Sequence, residues 1–104
     1  MNETDIMHMI MLELSNRGYK VFRTNVGKVR LHDGRWFDTG LPKGHADLYG
    51  FRPDGQIFYI EVKGTGGRVR PEQKQFLYSM KQSGALCGVA YSVDDALKIA
   101  GGVE

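Results

Sequence analysis

The spacing of apolar residues along the chain predicts three helices. Apolar positions recur at helical intervals from residue 4 to 17, which predicts the first helix. A second helix is expected to open at Pro71, a residue that suits the first helical turn, and to end at Gly84. Ser92 is placed to cap a third helix that continues to about residue 100.

Five other segments have the residue types and alternation of β-strands. The clearest pair flanks Arg52-Pro53-Asp54-Gly55-Gln56, in which Pro and Gly suit the first and the left-handed positions of a three-residue hairpin loop. Residues 35–43 show no clear period and are predicted to form a loop. The last strand follows a helical crossover and is expected to run parallel to a hairpin strand, which gives an α/β fold with a mixed sheet and helices packed on it. The predicted strands cover residues 19–24, 28–31, 47–51, 57–63 and 86–91.

Composition places the chain among compact globular domains. With 104 residues, 41% hydrophobic and 25% charged, it is expected to fold as one domain over residues 1–104. No apolar run approaches the roughly 18 residues that span a bilayer, and residues 2–5 are acidic where a secretory signal would be basic, so we expect a cytoplasmic protein with no membrane partner. Cys87 is the sole cysteine, which excludes an intrachain disulfide and a cysteine metal cluster. A net charge of +2 permits a polyanionic partner without requiring one.

The geometry of the predicted hairpin indicates where the charges of its second strand point. If the loop has three residues, Arg52 lies opposite Gln56, and the same register sets Asp47 opposite Glu61. Facing residues on antiparallel strands have Cβ atoms about 4.5 to 5.5 Å apart, so the two carboxylates are expected to be neighbours. Lys63 lies two positions beyond Glu61 and therefore on the same face. The sequence thus predicts two acids and one lysine at one end of the hairpin.

Two neighbouring carboxylates need something to offset their repulsion, which is about 4 kcal/mol at an effective dielectric of 20. A raised pKa of one acid, the Lys63 ammonium or a divalent cation would each do so. Mg²⁺ takes one or two carboxylates and keeps waters and substrate phosphate oxygens in its other positions, which suits metal-assisted phosphodiester hydrolysis. An ordinary cross-strand ion pair on a solvated edge has the same spacing, so the pattern alone leaves both interpretations open.

Several basic residues are candidates for contact with nucleic acid. The glycine-rich run 64–67 precedes two arginines and a helix start, a setting suited to a phosphate, and it lacks the ending of a nucleotide-binding P-loop. Trp36 and Phe37 are interleaved with four basic residues, Lys28, Arg30, Arg35 and Lys43, and could add stacking to a charged groove. Trp36 is equally compatible with a core or interface position. The candidate nucleic-acid-binding residues are Lys28, Arg30, Arg68, Arg70 and Lys74.

Three motifs in this order resemble the PD-(D/E)XK nuclease superfamily and, within it, the VRR-NUC family, whose small stand-alone members occur in phages and prophages. They are Gly44-His45-Ala46-Asp47-Leu48, Glu61-Val62-Lys63-Gly64 and Pro71-Glu72-Gln73-Lys74-Gln75-Phe76-Leu77. The resemblance implies a restriction-endonuclease-like core with a central mixed sheet in αβββαβ order, to which the predicted elements add one strand and one helix. The first acid follows Ala46 in place of the eponymous proline of the superfamily, and the Val-Arg-Arg that names the family is not present as written.

The resemblance also implies roles for the charged residues of the hairpin. Asp47 and Glu61 correspond to the acidic metal ligands of the superfamily, and Lys63 corresponds to its catalytic lysine. The main-chain carbonyl of Val62 would be a further ligand. The implied cofactor is Mg²⁺ or Mn²⁺.

Two helical positions carry further implied roles. Gln73 matches a glutamine that members of the family use to support the lysine and the attacking water, with Gln75 a less favoured alternative. Glu3 matches an acidic position on the first helix that reaches the metal site, with Glu13 as its competitor. The implied catalytic set is therefore Asp47, Glu61, Lys63 and Gln73, and Glu3 joins the implied metal ligands.

The function implied by the resemblance is that of a metal-dependent DNA endonuclease. Its likeness to Holliday-junction resolvases implies a structure-selective enzyme for branched DNA, acting as a homodimer in a bacterial or phage-infected cell. A sequence-specific restriction-type nuclease is one alternative, although a chain of 104 residues leaves little room for a base-reading domain. A non-catalytic DNA-binding or assembly module is the other, and the intact acids and lysine argue against it.

Overall fold

The computed structural model describes residues 1–24 and 28–103, which form three helices and six strands. The helices are α1 (Glu3–Asn16), α2 (Pro71–Gln82) and α3 (Val93–Gly101), and the strands are β1 (Lys20–Arg23), β2 (Lys28–Arg30), β3 (Trp36–Asp38), β4 (Leu48–Phe51), β5 (Ile57–Val62) and β6 (Leu86–Ala90). The first helix begins and ends one residue before its predicted bounds. No helix in these ranges is long and apolar enough to cross a membrane.

The main sheet has four strands in the order β1-β4-β5-β6. Strands β1, β4 and β5 pair antiparallel, whereas β6 runs parallel to β5 after the crossover through α2. This confirms the predicted mixed sheet, and with three helices the fold is of the α+β kind. Strands β2 and β3 form a separate two-stranded hairpin, and within the described residues none of their Cα atoms lies within 8 Å of a Cα atom of another helix or strand.

The three helices begin where the sequence provides caps. The Asn2 side chain accepts the backbone N–H of Asp5 at 2.8 Å, which caps α1. Pro71 is the first residue of α2, and the Ser92 hydroxyl accepts the N–H of Asp95 at 3.1 Å to cap α3. The Asp95 carboxylate does not close a capping box on Ser92, because it accepts the N–H of Tyr91 instead, at 2.9 Å.

The two faces of the main sheet have different roles. One face is covered by α1 and α3, whose buried residues pack on alternate positions of β4 and β5. The other face is partly covered by α2, which lies over β5 and β6. Glu61 points to this second face, so a charged residue of β5 faces α2 and not the apolar core. The core side chains of the sheet are Leu48, Phe58, Ile60, Val62 and Ala90.

The predicted loop over residues 35–43 is wrong for Trp36–Asp38, which form β3. The hairpin closes through a turn in which the N–H of Leu31 donates to the carbonyl of Arg35 at 2.7 Å, with Gly34 at a φ of 87°. All three residues of β3 are exposed, so neither face of this strand is buried. The segment therefore lacks the alternation of buried and exposed positions by which a strand is recognised in a sequence.

The register of the β4–β5 hairpin is the predicted one. Leu48 pairs with Ile60 and Tyr49 with Tyr59, and the N–H of Arg52 donates to the carbonyl of Gln56 at 3.0 Å. Gly55 takes the left-handed position of the loop with a φ of 86°. Continuing this register by one residue sets Asp47 opposite Glu61.

Candidate functional site

Glu61 is a buried acid whose carboxylate is only partly satisfied. Its residue is 1% exposed, and its Oε1 accepts the Nε2 of Gln73 at 3.2 Å and lies 3.9 Å from the Nζ of Lys63. Its Oε2 has no hydrogen-bond partner, and within residues 1–24 and 28–103 no other buried side-chain nitrogen or oxygen lacks one. Because a buried polar atom without a partner is costly, this oxygen marks a place where a ligand is expected.

Asp47 is held against the same end of β5. Its Oδ2 accepts the backbone N–H of Val62 at 2.9 Å. In an uninterrupted ladder this N–H would bond to a main-chain carbonyl of the β4 side, but Ala46 directs its carbonyl to the hydroxyl of Thr24 at 2.5 Å. The N–H of Thr24 also donates to the Asp47 carbonyl at 2.9 Å. The chain thus leaves the ladder at Ala46, and this turns the Asp47 carboxylate toward the end of β5.

The surroundings of Glu61 favour its neutral form. Burial is the largest cause that raises the pKa of Glu61, followed by a hydrogen bond that the protonated carboxyl can donate to the Asp47 side chain and by the negative charge of Asp47. The Oε2 of Glu61 therefore lacks a partner only when Glu61 is ionised. The Lys63 ammonium lowers this pKa, but its Nζ is 3.9 Å from the carboxylate and does not reverse the effect. The charge of Glu3 raises the pKa further. Without a bound cation, the site therefore opposes ionisation of Glu61.

Gln73 connects helix α2 to the acidic pair. It is 4% exposed, and its Oε1 accepts the backbone N–H of Arg70 at 2.9 Å, which closes the first turn of α2. Because the amide oxygen is engaged there, the Nε2 is the atom that faces Glu61. The alternative from the sequence, Gln75, is exposed and lies on a different side of the helix.

The two candidate acids of α1 lie in different settings. The backbone of Glu3 approaches Gly64 so closely that a Cβ on that glycine would lie 3.2 Å from the Glu3 nitrogen. Glu3 itself is exposed, and its charge acts on Glu61 from this position. Glu13 instead forms an ion pair with Arg17, which follows it by one helical turn, with 3.1 Å between the Glu13 Oε1 and the Arg17 Nε. The structure therefore brings Glu3, and not Glu13, to the vicinity of Lys63.

The donor set at the hairpin end suits a hard divalent cation. It consists of two carboxylates, one of which has a buried oxygen without a partner. The residues that the structure describes contain no group of three or more His, Cys, Asp or Glu side chains arranged to hold a metal ion. Mg²⁺ and Mn²⁺ fit such a site better than Zn²⁺ does, because Mg²⁺ commonly binds through one or two carboxylates and keeps several waters. The residues that would hold the ion are Asp47, Glu61 and the carbonyl of Val62, with Glu3 close by.

The predicted DNA-contacting residues are all exposed, and they lie on three segments. Two are on β2, where the Arg30 guanidinium lies 5.4 Å from the centre of the Trp36 ring. Arg68 and Arg70 lie between β5 and α2, and Arg70 forms an ion pair with Glu72 at 3.2 Å. Lys74 is on α2. The set is Lys28, Arg30, Arg68, Arg70 and Lys74.

Sequence reasoning missed an aromatic cluster beside the acids. Tyr59 lies two residues before Glu61 on the same face of β5, and Tyr49 pairs with it across the hairpin. His45 packs on Phe76 with ring centres 4.4 Å apart and closes the cluster toward α2. The register that placed the acids also places the two tyrosines, so the signal was present. No comparable signal marks Thr24, which meets Asp47 over a separation of 23 residues.

Comparisons with known proteins identify the family of this chain. The model of the VRR-NUC domain matches residues 3–94, which include all the residues of the acidic site. A solved structure described as a VRR-NUC domain superposes with a TM-score of 0.67 at 20% sequence identity, over 93% of this chain and 91% of that one, and it shows the fold. A comparison with curated proteins gave no significant match. The chain therefore belongs to the VRR-NUC family of nuclease domains.

Proposed function

We propose that this chain is a divalent-metal-dependent DNA endonuclease that hydrolyses phosphodiester bonds at the end of the β4–β5 hairpin. The observation that carries the proposal is the buried Glu61 beside the half-buried Asp47, with the Oε2 of Glu61 left without a partner. Within the part of the chain that the structure describes, no protein donor satisfies that oxygen, so either a proton shared with Asp47 or a bound cation is needed to do so. The membership in a family of nuclease domains supports the same conclusion.

Each residue of the site has a distinct part in the proposed reaction. A divalent cation held by the two acids would supply Lewis-acid stabilisation of the charge that develops on the phosphoryl group. Gln73 fixes the Glu61 carboxylate by one hydrogen bond and is itself fixed by the first turn of α2. Lys63, whose side chain is 12% exposed, has its ammonium 3.9 Å from the Glu61 carboxylate, where it can orient the attacking water or contact the phosphate. The exposed arginines and lysines nearby would hold the flanking phosphates.

The proposal extends to branched DNA as the preferred substrate and to a homodimer as the active form. Exposed basic residues occur on a hairpin separate from the main sheet and on the segment beside Lys63, so a substrate with strands in more than one direction could meet both. A substrate with two-fold symmetry suits an enzyme with two-fold symmetry. The preference for branched DNA and the homodimer both rest on the likeness to junction resolvases. Sedimentation or light scattering, with and without a four-way junction, would test whether the protein is a homodimer.

Cleavage assays with matched lysine variants test the reaction. Four-way, flapped and linear duplex DNA are incubated with Mg²⁺, Mn²⁺ or EDTA. We expect cutting only with the metal ions, and we expect Lys63→Ala to lower the cleavage rate by about 100-fold or more, since a positioned catalytic group contributes roughly 10²- to 10⁴-fold. Lys81→Ala removes an exposed lysine from the far end of α2 and should leave the rate unchanged.

The same assay separates the alternatives. DNA binding without metal-dependent cutting would indicate a non-catalytic module and would overturn the proposal. Cuts at a fixed sequence in linear duplex would indicate a restriction-type nuclease and would overturn the preference for branched DNA. Cutting by Lys63→Ala at the wild-type rate would remove Lys63 from the mechanism.

A further inference from the structure

An open cleft of about 470 Å³ lies on the second face of the sheet, beside the acidic pair. The sheet supplies Tyr49 and Tyr59 to one side, and the β2–β3 hairpin supplies Phe37 to the other. This volume is in the range of roughly 300 to 1,000 Å³ that small-molecule sites occupy. The proposed reaction uses none of these aromatic side chains.

The walls of the cleft have the chemistry of a site for a flat, polar ring. Tyr49 and Tyr59 are stacked with their ring centres 6.3 Å apart, and His45 lies edge-on to Tyr59 at 5.7 Å. Phe37 is 56% exposed, so it has an apolar ring with a free face. Arg23 adds a positive charge and Thr24 a hydroxyl. Aromatic faces with a few polar groups bind nucleobases by stacking and by hydrogen bonds to the base edge.

The cleft lies close to the acidic pair along the sheet, although neither acid lines it. Tyr59 lies two residues before Glu61 on the same face of β5, a separation of about 7 Å along a strand. Thr24, at the main-sheet side of the cleft, has its hydroxyl 3.1 Å from the main-chain carbonyl of Asp47. A group bound in this cleft would therefore be within one nucleotide of a phosphate at the acids.

We propose that this cleft holds an unpaired nucleobase of the DNA adjacent to the phosphate that is cut. The inference rests on the proposed function, because it takes DNA to be the substrate. The charge at the cleft favours this occupant over an uncharged ligand, because the exposed Arg23 lines the cleft itself. Lys28 and Arg30 lie on the other face of the β2–β3 hairpin from Phe37. A base inside a duplex is stacked on its neighbours and cannot enter such a cleft, so the nucleotide must be unpaired or extruded. The cleft would then select DNA with an unpaired base at the cutting position.

Binding to two DNA duplexes that differ at one base tests the proposal. One duplex carries a bulged, unpaired 2-aminopurine, and the other pairs the same 2-aminopurine with thymine. Affinity and 2-aminopurine fluorescence are measured in EDTA, so that cleavage does not interfere. We expect the wild-type protein to bind the bulged duplex about tenfold or more tightly, and to change the fluorescence of the unpaired base.

Variants of exposed aromatic residues provide the matched controls. Loss of one stacking ring commonly weakens binding by roughly 5- to 150-fold, so Phe37→Ala should remove most of the preference for the bulged duplex. Phe37→Trp should retain it because the stacking face is kept. Tyr78→Ala removes an aromatic side chain that is 62% exposed on α2, away from the cleft, and should also retain the preference. Because Phe37 is exposed, its substitution should leave the fold intact.

Two outcomes would overturn the inference. The first is equal affinity of the wild-type protein for the two duplexes. The second is an equal loss of the preference for the bulged duplex in Phe37→Ala and Tyr78→Ala. Cleavage assays with metal ions decide the proposed function separately. A protein that cuts DNA but does not discriminate the duplexes lacks the base site, whereas one that discriminates but never cuts keeps the base site and is not a nuclease.

Discussion

At the scale of single residues, the site combines groups that do not favour a stable fold. Glu61 is buried beside Asp47, and one of its oxygens lacks a partner. Both features destabilise the folded protein when no cation is bound, because burial and a neighbouring negative charge oppose ionisation. Such a site is expected where binding of a ligand, rather than stability, determines the residue type.

Replacing Glu61 should therefore stabilise the metal-free protein. A carboxyl group whose pKa is raised in the folded state contributes fully to stability below its ordinary value of 4.5, and this contribution is lost as the pH rises toward the folded-state pKa. Glutamine has no such ionisation, and it can keep the hydrogen bond with Gln73. We expect Glu61→Gln to unfold at a temperature several degrees above the wild type at pH 8 in EDTA, with a smaller difference at pH 5.

Thermal unfolding by circular dichroism at several pH values measures this difference. Asp94→Asn, which changes an exposed acid on α3, should show no comparable trend. A difference between Glu61→Gln and the wild type that does not grow with pH would contradict the expectation.

The positions of these acids could be predicted from the sequence because a short turn determines them. The three-residue loop sets the hairpin register, and this register sets Asp47 opposite Glu61. The bond from Val62 N–H to Asp47 could not be predicted, because it forms only where the Ala46 carbonyl turns to Thr24. That contact joins residues 22 apart, and no local pattern encodes it.

At the scale of elements, the position of Asp47 depends on how the segment before β4 packs on α2. Gly44 is buried against the first turn of α2, where an added Cβ would lie 2.1 Å from the Glu72 carbonyl oxygen. A backbone oxygen at this distance cannot move aside as a flexible side chain would. Gly44 thus allows the chain to pass close to the helix that also carries Gln73.

Gly44→Ala should separate this segment from α2. We expect the substitution to lower the free energy of unfolding by about 1 to 3 kcal/mol, the usual cost of inserting a methyl group into a packed site. Chemical denaturation gives the value. Gly101→Ala is the matched control, since no atom lies within 4 Å of the added Cβ and the residue is helical. It should leave stability unchanged or raise it by up to about 1 kcal/mol. Equal effects of the two substitutions would exclude the packing explanation.

Among the elements, burial separates β4 and β5, which could be predicted from residue pattern, from β3, which could not. Strands β4 and β5 carry buried residues at alternate positions, and their residue types show it. Strand β3 has no buried residue. The side chains of Trp36, Phe37 and Asp38 remain exposed to solvent when the strand pairs with β2. The alternation of apolar and polar residues reflects which side chains are buried, and it does not reflect which backbones are hydrogen-bonded. The sequence pattern therefore did not predict β3.

At the scale of the whole molecule, the β2–β3 hairpin stands apart from the main body. Among the described residues, no Cα atom of the hairpin lies within 8 Å of one in another helix or strand, although the Phe37 side chain faces the cleft. A two-stranded hairpin by itself is marginally stable in water. Its stability is therefore expected to be local and lower than that of the main sheet.

Hydrogen exchange should show this difference. We expect the amides of β2 and β3 to exchange at least about 100-fold faster than the buried amides of β5, because opening the hairpin exposes little apolar surface. Exchange followed by mass spectrometry with peptide resolution measures both. The amides of β4 serve as the internal control and should follow β5. Equal protection of the hairpin and β5 would show that the hairpin is held by the main body.

The separation of the hairpin also bears on how such a protein can change in evolution. Asp47, Glu61 and Lys63 lie within 17 consecutive residues, because the chain turns back once between β4 and β5. Phe37, Lys28 and Arg30 lie upstream on a unit that shares no ladder with these strands. Mutations in that unit can therefore accumulate without disturbing the two acids and the lysine, so the hairpin and the acidic end of β5 are free to vary independently.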